Sequence, residues 1–218
     1  MSQKSVIRTS SARIPTKYGE FTLTYFSNTE DEKAHLAFSM GDLEHSENVL
    51  VRVHSECFTG DVLGSQRCDC GEQLNHALQM ISNENCGVLV YMRQEGRGIG
   101  LLKKIESYNL QDAGHDTVDA NLMLGHLPDE RDYTLAARIL EDLRIKSIRL
   151  LTNNPNKVDS LISEGIQVNE RVALEETVRK ENSRYLHTKA ERMNHILSLK
   201  KSSHPIPTSA RNESQPKD

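Results

Sequence analysis

Four cysteines fall at positions 57, 68, 70 and 86 of a 218-residue chain, and three of them share the segment HSECFTGDVLGSQRCDCG. Cys57 follows an apolar run, a glycine-containing loop comes next, and only Asp69 separates Cys68 from Cys70. A loop that folds back can bring three thiolates to one point, and thiolates favour zinc in tetrahedral coordination. Three protein ligands leave a fourth position open, as a hydrolytic zinc requires in order to activate water. Two other readings remain open on spacing: three unrelated buried cysteines, or a structural zinc closed by His54 as fourth ligand. Cys86 opens an apolar run and reads as a small buried hydrophobe. Three thiolates over-neutralise a divalent metal, so a Lewis-acidic site needs cations close by. Arg52, Arg67, Arg93 and Arg97 lie in the adjacent segments.

The second feature with chemical content is RQEGRGIGLLKK, a glycine-rich turn between an apolar strand pattern and a helix pattern. Gly96, Gly98 and Gly100 allow close approach of the backbone to a ligand, and the helix start behind them offers free N–H groups to an anion. Arg97 inside the turn adds a planar fork suited to phosphate. The spacing is neither the dinucleotide fingerprint nor the Walker loop, and a purely structural turn stays possible. LLTNNPNKV repeats the arrangement, with Thr152 after a strand and Lys157 in the first turn of a helix; alone it reads equally as an ordinary capped helix. Together with DERDYT, the two loops make a triphosphate cradle, and a triphosphate implies Mg2+.

The elements that position these residues can be read from periodicity. EFTLTYF, AHLAFSM and NVLVRVHSE have strand character, which makes the half from Arg13 to Leu63 β-rich. Thereafter strands and helices alternate: EQLNHALQMISNE as an amphipathic helix, GVLVYM as a buried strand, LLKKIESYNLQDAG and TLAARILEDLRI as helices. SIRLLTNN follows as a strand, then PNKVDSLISEG with an asparagine cap and Pro155, and finally the amphipathic TKAERMNHILSLKK. This predicts an α/β fold, a mixed β-sheet flanked by helices with a β-rich N-terminal half in a single compact domain, with the active loops at the strand C-terminal ends. Residues 1–12 and 200–218 have the composition of disordered tails around a domain spanning 13–199. A net charge of −4 gives no reason to expect nucleic-acid or membrane binding, and no apolar run suits a signal peptide or a membrane span. Clustered thiols fit a reducing, cytoplasmic setting.

The strings RVHSECFTGD, RCDCG, RQEGRGIGL, YNLQD, DERDYT and RLLTNNPNK, in that order, resemble the motif set of the GTP cyclohydrolase II family from about Arg13 to Leu199. The resemblance implies a homodimer with catalytic Zn2+ and added Mg2+ that converts GTP to a diaminopyrimidine ribosyl phosphate, formate and diphosphate. It makes Cys57, Cys68 and Cys70 the zinc ligands and moves His54 into a GTP-contacting run of Arg52, Val53, His54, Ser55 and Glu56. Gln73, Glu95, Gly96, Arg97, Thr117, Thr152 and Lys157 would bind GTP as well, with Glu95 or a nearby carboxylate suited to the guanine edge. Tyr108 would assist at the ring, Asp129 would accept a proton, and Arg131 would be the nucleophile toward the α-phosphate. A guanidinium has no free lone pair at neutral pH, so electrostatic stabilisation of the departing diphosphate explains an essential arginine equally well. Ala173 stands where the family usually has proline, and the synthase domain often fused ahead of this one is missing, which predicts a monofunctional protein. Two alternatives compete: an enzyme that stops at the formylated or diphosphate-loss stage, and a non-catalytic, zinc-stabilised GTP-binding regulatory protein.

Overall fold

The apolar runs pair into one seven-stranded sheet. In chain order, β1 (Val6–Thr16), β2 (Gly19–Asn28), β3 (His35–Met40) and β4 (Val49–Ser55) precede helices α1 (Phe58–Asp61) and α2 (Cys70–Glu84). Then come β5 (Gly87–Met92), a 3-10 turn at Glu95–Gly98, and helices α3 (Gly100–Asp112), α4 (Thr117–Met123) and α5 (Thr134–Asp142). β6 (Ile148–Leu151), α6 (Pro155–Ser163), β7 (Val168–Val172) and α7 (Ser183–Arg192) complete the α/β domain. The computed structural model describes residues 4–175 and 177–197.

Across the sheet the order is β1-β2-β3-β5-β4-β6-β7. The strands from β1 to β5 pair antiparallel, whereas β5, β4, β6 and β7 run parallel, so the loops leaving β4, β5 and β6 all emerge at one edge. β4 is central and sorts its residues by parity, because successive side chains leave opposite faces of a strand. Val49, Val51 and Val53 enter the larger core with Ala136, Ile139 and Leu140 of α5 and Leu161 of α6. On the other face Leu50 packs with Ala77 and Ile81 of α2. Its successors Arg52 and His54 continue along that face, from the core toward the loop edge.

Two short backbones meet closely there. A Cβ on Gly71, the second residue of α2, would lie 2.3 Å from the carbonyl oxygen of Gly60 in α1. A Cβ on Gly60 would lie 2.9 Å from Cys68 Sγ and 3.1 Å from Cys57 Sγ. Neither position has room for a side chain.

The N-terminus departs from expectation. Residues 6–12, expected in a disordered tail, form the first part of β1, which pairs with β2 along nearly its whole length. β1 is largely exposed, so backbone pairing and the Arg8–Asp142 ion pair hold it in place of apolar burial. At the other end α7 begins at Ser183 and stops at Arg192, earlier than the expected helix, with Asn194 in the left-handed region (φ 55°). After Ala173, Leu174 is held by both backbone groups to the Asn153 side chain. The expected tail at 200–218 lies outside the described residues.

Gly71→Ala should therefore lower stability by about 1–3 kcal/mol, since overpacking forces the backbone apart. A urea midpoint unchanged from wild type would show that the α1–α2 contact tolerates a side chain.

Candidate active site

The loop edge of the parallel strands is hollowed into a cavity whose wall includes all three clustered cysteines. Their Sγ atoms lie within 4.8 Å of one another, and Cys57 Sγ is 3.6 Å from Cys68 Sγ. Zinc–sulfur bonds of about 2.3 Å in a tetrahedron put sulfurs roughly 3.8 Å apart, so this donor set fits zinc. Among the described residues no histidine or carboxylate joins the cluster. His54 instead directs Nε2 to both carboxylate oxygens of Asp61, at 3.1 Å each. Asp61 also accepts from the Cys57 backbone N–H and from the Tyr91 hydroxyl, which fixes the start of the cysteine loop. A closed four-ligand site using His54 is thus disfavoured by geometry.

The cation nearest the sulfurs comes from α3. Lys104 donates to Cys57 Sγ at 3.1 Å and to Glu95 Oε1 at 2.7 Å. Burial works against the Lys104 charge, but the Cys57 thiolate and Glu95 outweigh it and hold the ammonium above its ordinary pKa. Cys57 is held well below the usual thiol range, first by Sγ contacts from Cys68 and Cys70 and then by Lys104. Tyr108 stands one turn beyond Lys104, its hydroxyl 3.3 Å from Thr59 Oγ1.

The same cavity collects further buried cations. Arg52, from β4, donates to the Leu151 carbonyl at 2.9 Å and to Gln73 Oε1 at 2.7 Å. Gln73 passes the chain to Asp69 at 2.6 Å, and Asp69 accepts from Lys189 of α7 at 2.7 Å. Lys157 reaches the Val53 carbonyl at 2.7 Å from the first turn of α6, whose cap is the Asn154 side chain as the sequence indicated. Arg131 grips Asp129 through Nε at 2.7 Å and through Nη2, a two-point fork.

Burial is the largest influence on all of these groups. It lowers Arg52 to about 10 and Lys157 well below its ordinary value, with neighbouring Arg52 and Arg131 adding to the Lys157 shift. His195 is lowered to about 3 by burial and then by Lys189 and Arg131, which leaves it neutral. Burial also raises Asp129, yet the hydrogen bonds and charge of Arg131, with the charge of Arg97, together outweigh it and keep the carboxylate below its usual range.

The glycine-rich turn lines the same cavity through Gly96 and Arg97. Gly96 and Arg97 both adopt φ 63°, a left-handed conformation that is uncommon for arginine and turns its guanidinium toward the Tyr185 ring, 5.6 Å from the centroid.

The cavity wall brings together Arg52, His54, Ser55, Glu56, Gln73, Gly96, Arg97, Thr117, Thr152 and Lys157 with the cysteines, Tyr108 and Arg131. Three expected site residues do not line it. Val53 contributes only its carbonyl, to Lys157, and Asp129 stands behind Arg131. Glu95 turns one oxygen to the Phe58 N–H and the other to Lys104 and the Gly96 N–H, so both of its oxygens have partners within the protein. Sequence reading missed Lys104 and Asp69, and the α7 arm that brings Tyr185, Lys189 and His195 to the wall. Lysine and aspartate inside polar segments carry no mark of burial.

A family model described as GTP cyclohydrolase II matches residues 7–173. The chain is 54% identical over 193 residues to the GTP cyclohydrolase-2 of Tolumonas auensis, covering 88% of this chain and 98% of that protein. It is 53% identical over 193 residues to the GTP cyclohydrolase-2 of Pseudomonas aeruginosa, with 88% and 94% covered. The riboflavin biosynthesis protein RibBA of Nocardia farcinica is 54% identical over 196 residues, which are 89% of this chain but 47% of that protein. The chain thus spans about half the length of the RibBA relatives it matches and nearly all of these GTP cyclohydrolase-2 proteins. Three clustered cysteines facing a cationic cavity, a family model over most of the fold and relatives above half identity agree: the chain belongs to the GTP cyclohydrolase II family.

Proposed function

We propose that this protein opens the imidazole ring of GTP and releases formate and diphosphate, leaving 2,5-diamino-6-hydroxy-4-(5-phosphoribosylamino)pyrimidine, the first step of riboflavin biosynthesis. The observation that carries the reading is the sharing of one cavity by a three-cysteine cluster and a set of buried cations. Cys57, Cys68 and Cys70 would hold zinc, which when bound supplies the Lewis acidity that makes water nucleophilic near neutral pH.

Arg52, Arg97, Arg131 and Lys157 bind the triphosphate. Their positions are prearranged by carbonyls, by Gln73 and by Asp129, so little reorganisation accompanies the build-up of charge on the departing diphosphate. The two-point bond to Asp129 favours Arg131 as a charged clamp over a nucleophile. Once Arg131 turns to phosphate, Asp129 is released to accept a proton. Tyr108, tethered to Thr59, stands beside the cysteine loop to assist at the ring. Guanine is read by polar side chains of α3 and α4 on the cavity wall, among them Gln111, Thr117 and Asn121, since unpaired partners reject the wrong base strongly.

Mg2+ enters as the counter-ion of the triphosphate: among the described residues the cysteines are the only cluster of three potential ligands, so no carboxylate cage awaits it. A homodimer fits the exposed Leu102 and Ile105 on α3 and Leu122 and Met123 on α4. Free cysteines suit the cytoplasm, and no described helix is long and apolar enough to cross a membrane.

Zinc-loaded protein incubated with GTP and Mg2+ should yield formate, diphosphate and the pyrimidine. Binding without turnover would favour a regulatory role, and diphosphate without formate a truncated reaction. Cys68→Ser should lose zinc and formate release while its circular dichroism stays folded; unfolding instead would mark the metal as structural. Arg131→Lys should cut diphosphate release by about 10²–10³, as for loss of a transition-state donor, and mass spectrometry should find no guanylyl adduct on the native enzyme.

The depressed Lys157 adds a signed pH effect. Its folded pKa lies below the ordinary 10.5, so the burial of Lys157 costs stability as pH falls below that value. A polyanion reverses the cost, so a non-hydrolysable GTP analogue should bind with proton uptake in the range below pH 10.5 where the depressed Lys157 is neutral. Calorimetry in two buffers of different ionisation enthalpy would measure it, and Lys157→Met should abolish the difference.

A further inference from the structure

Lys104, like Lys189, is a buried cation that the proposed reaction leaves without a task, and of the two it is Lys104 that touches a clustered cysteine. It rises from the second turn of α3, behind the glycine-rich turn, and its Nζ contacts one zinc-ligand candidate, Cys57, at 3.1 Å. Glu95 fixes that ammonium at 2.7 Å. Glu95 is itself held from its other oxygen by the Phe58 N–H, the residue directly after Cys57. The ring of contacts therefore runs from the cysteine loop to Glu95, to Lys104 and back to the cysteine sulfur. Nζ also lies 5.8 Å from the centre of the Tyr108 ring.

An N–H donated to a thiolate draws electron density from sulfur, so the sulfur gives less to a bound metal and the metal remains a stronger Lewis acid. A site with three thiolates needs this more than one built from neutral ligands. Of the four arginines in the flanking segments, none has Cys57 Sγ among its hydrogen-bond partners, whereas Lys104 does.

We propose that Lys104, anchored by Glu95, is a positioning residue that tunes the Cys57 thiolate, and through it the acidity of the metal that Cys57, Cys68 and Cys70 hold. Glu95 acts in this pair as the anchor of the ammonium and not as a reader of guanine. The inference rests on the proposed metal site. It adds a link between the turn that faces the substrate and the electronics of the metal centre, since Glu95 belongs to that turn and Lys104 to the helix behind it.

The test is cobalt substitution in the full-length protein, with Lys104→Met, Lys104→Arg and wild type compared. Loss of the N–H···S bond raises the sulfur donor level, so the thiolate-to-cobalt charge-transfer band of K104M should move to longer wavelength, while K104R stays near wild type. With zinc restored, kcat for formate release in K104M should fall roughly 10–100-fold with KM for GTP little changed. An unmoved cobalt band in a folded K104M would overturn the proposal and make Lys104 a packing residue only. If K104M does not fold, Lys104→Leu removes the N–H donor and the charge as well and serves for the same comparison. A wild-type protein with no thiolate-to-cobalt band at all would overturn the metal site itself, and this inference with it.

Discussion

The structure depends on the contact of two backbones that carry no side chains at their meeting point. Gly60 in α1 and Gly71 at the start of α2 approach so closely that a single added carbon would lie 2.3 Å from a carbonyl oxygen. That approach folds the loop after β4 back on itself and brings Cys57 to Cys68 and Cys70. Cys57 is placed by the end of a central strand, and Cys70 by the first turn of the helix that covers one sheet face. The sulfur cluster is therefore as rigid as the sheet and helix from which it is hung, a rigidity that favours a precise metal site.

The cavity next to this cluster manages charge by graded burial. Arg131 and Lys189 carry their own carboxylate partners, Asp129 and Asp69, and are stable as cations without a ligand. Arg52 and Lys157 rest largely on carbonyls and an amide, and burial lowers both. The second pair gains most from an arriving polyanion, because it is the pair whose charge is least compensated. Neutral His195 among these cations adds a polar surface without adding repulsion.

Periodicity was informative wherever an element buries one face and exposes the other. β5 coincides with GVLVYM, and α2, α3, α5 and α6 fall on their apolar periods, closed by residues such as Asn154 at one end and Gly165 at the other. It failed where pairing rather than burial holds the chain. The residues of β1 and β7 are mostly polar, and both strands are edge strands recognisable only once β2 and β6 lie beside them. The α4 helix is short, held by the Asp116 cap, and carries too few residues for a period to emerge.

By itself the sequence determined which chemistry is available. A Cys-x-Cys pair within a loop's reach of a third cysteine restricts the possibilities to thiolate chemistry or a metal, and glycine with arginine between a strand and a helix suits an anion. These are local features, set by residue type and by distances along the chain that backbone geometry limits. Only the tertiary structure decided which partners each group meets. Lys104 stands 47 residues from Cys57, and Lys189 stands 120 from Asp69. His54, three residues from Cys57, turns to Asp61 and away from the cluster. The physical reason is that hydrogen bonds and charge act over a few ångströms of space, and the sheet order that sets those distances is not encoded in neighbouring residues.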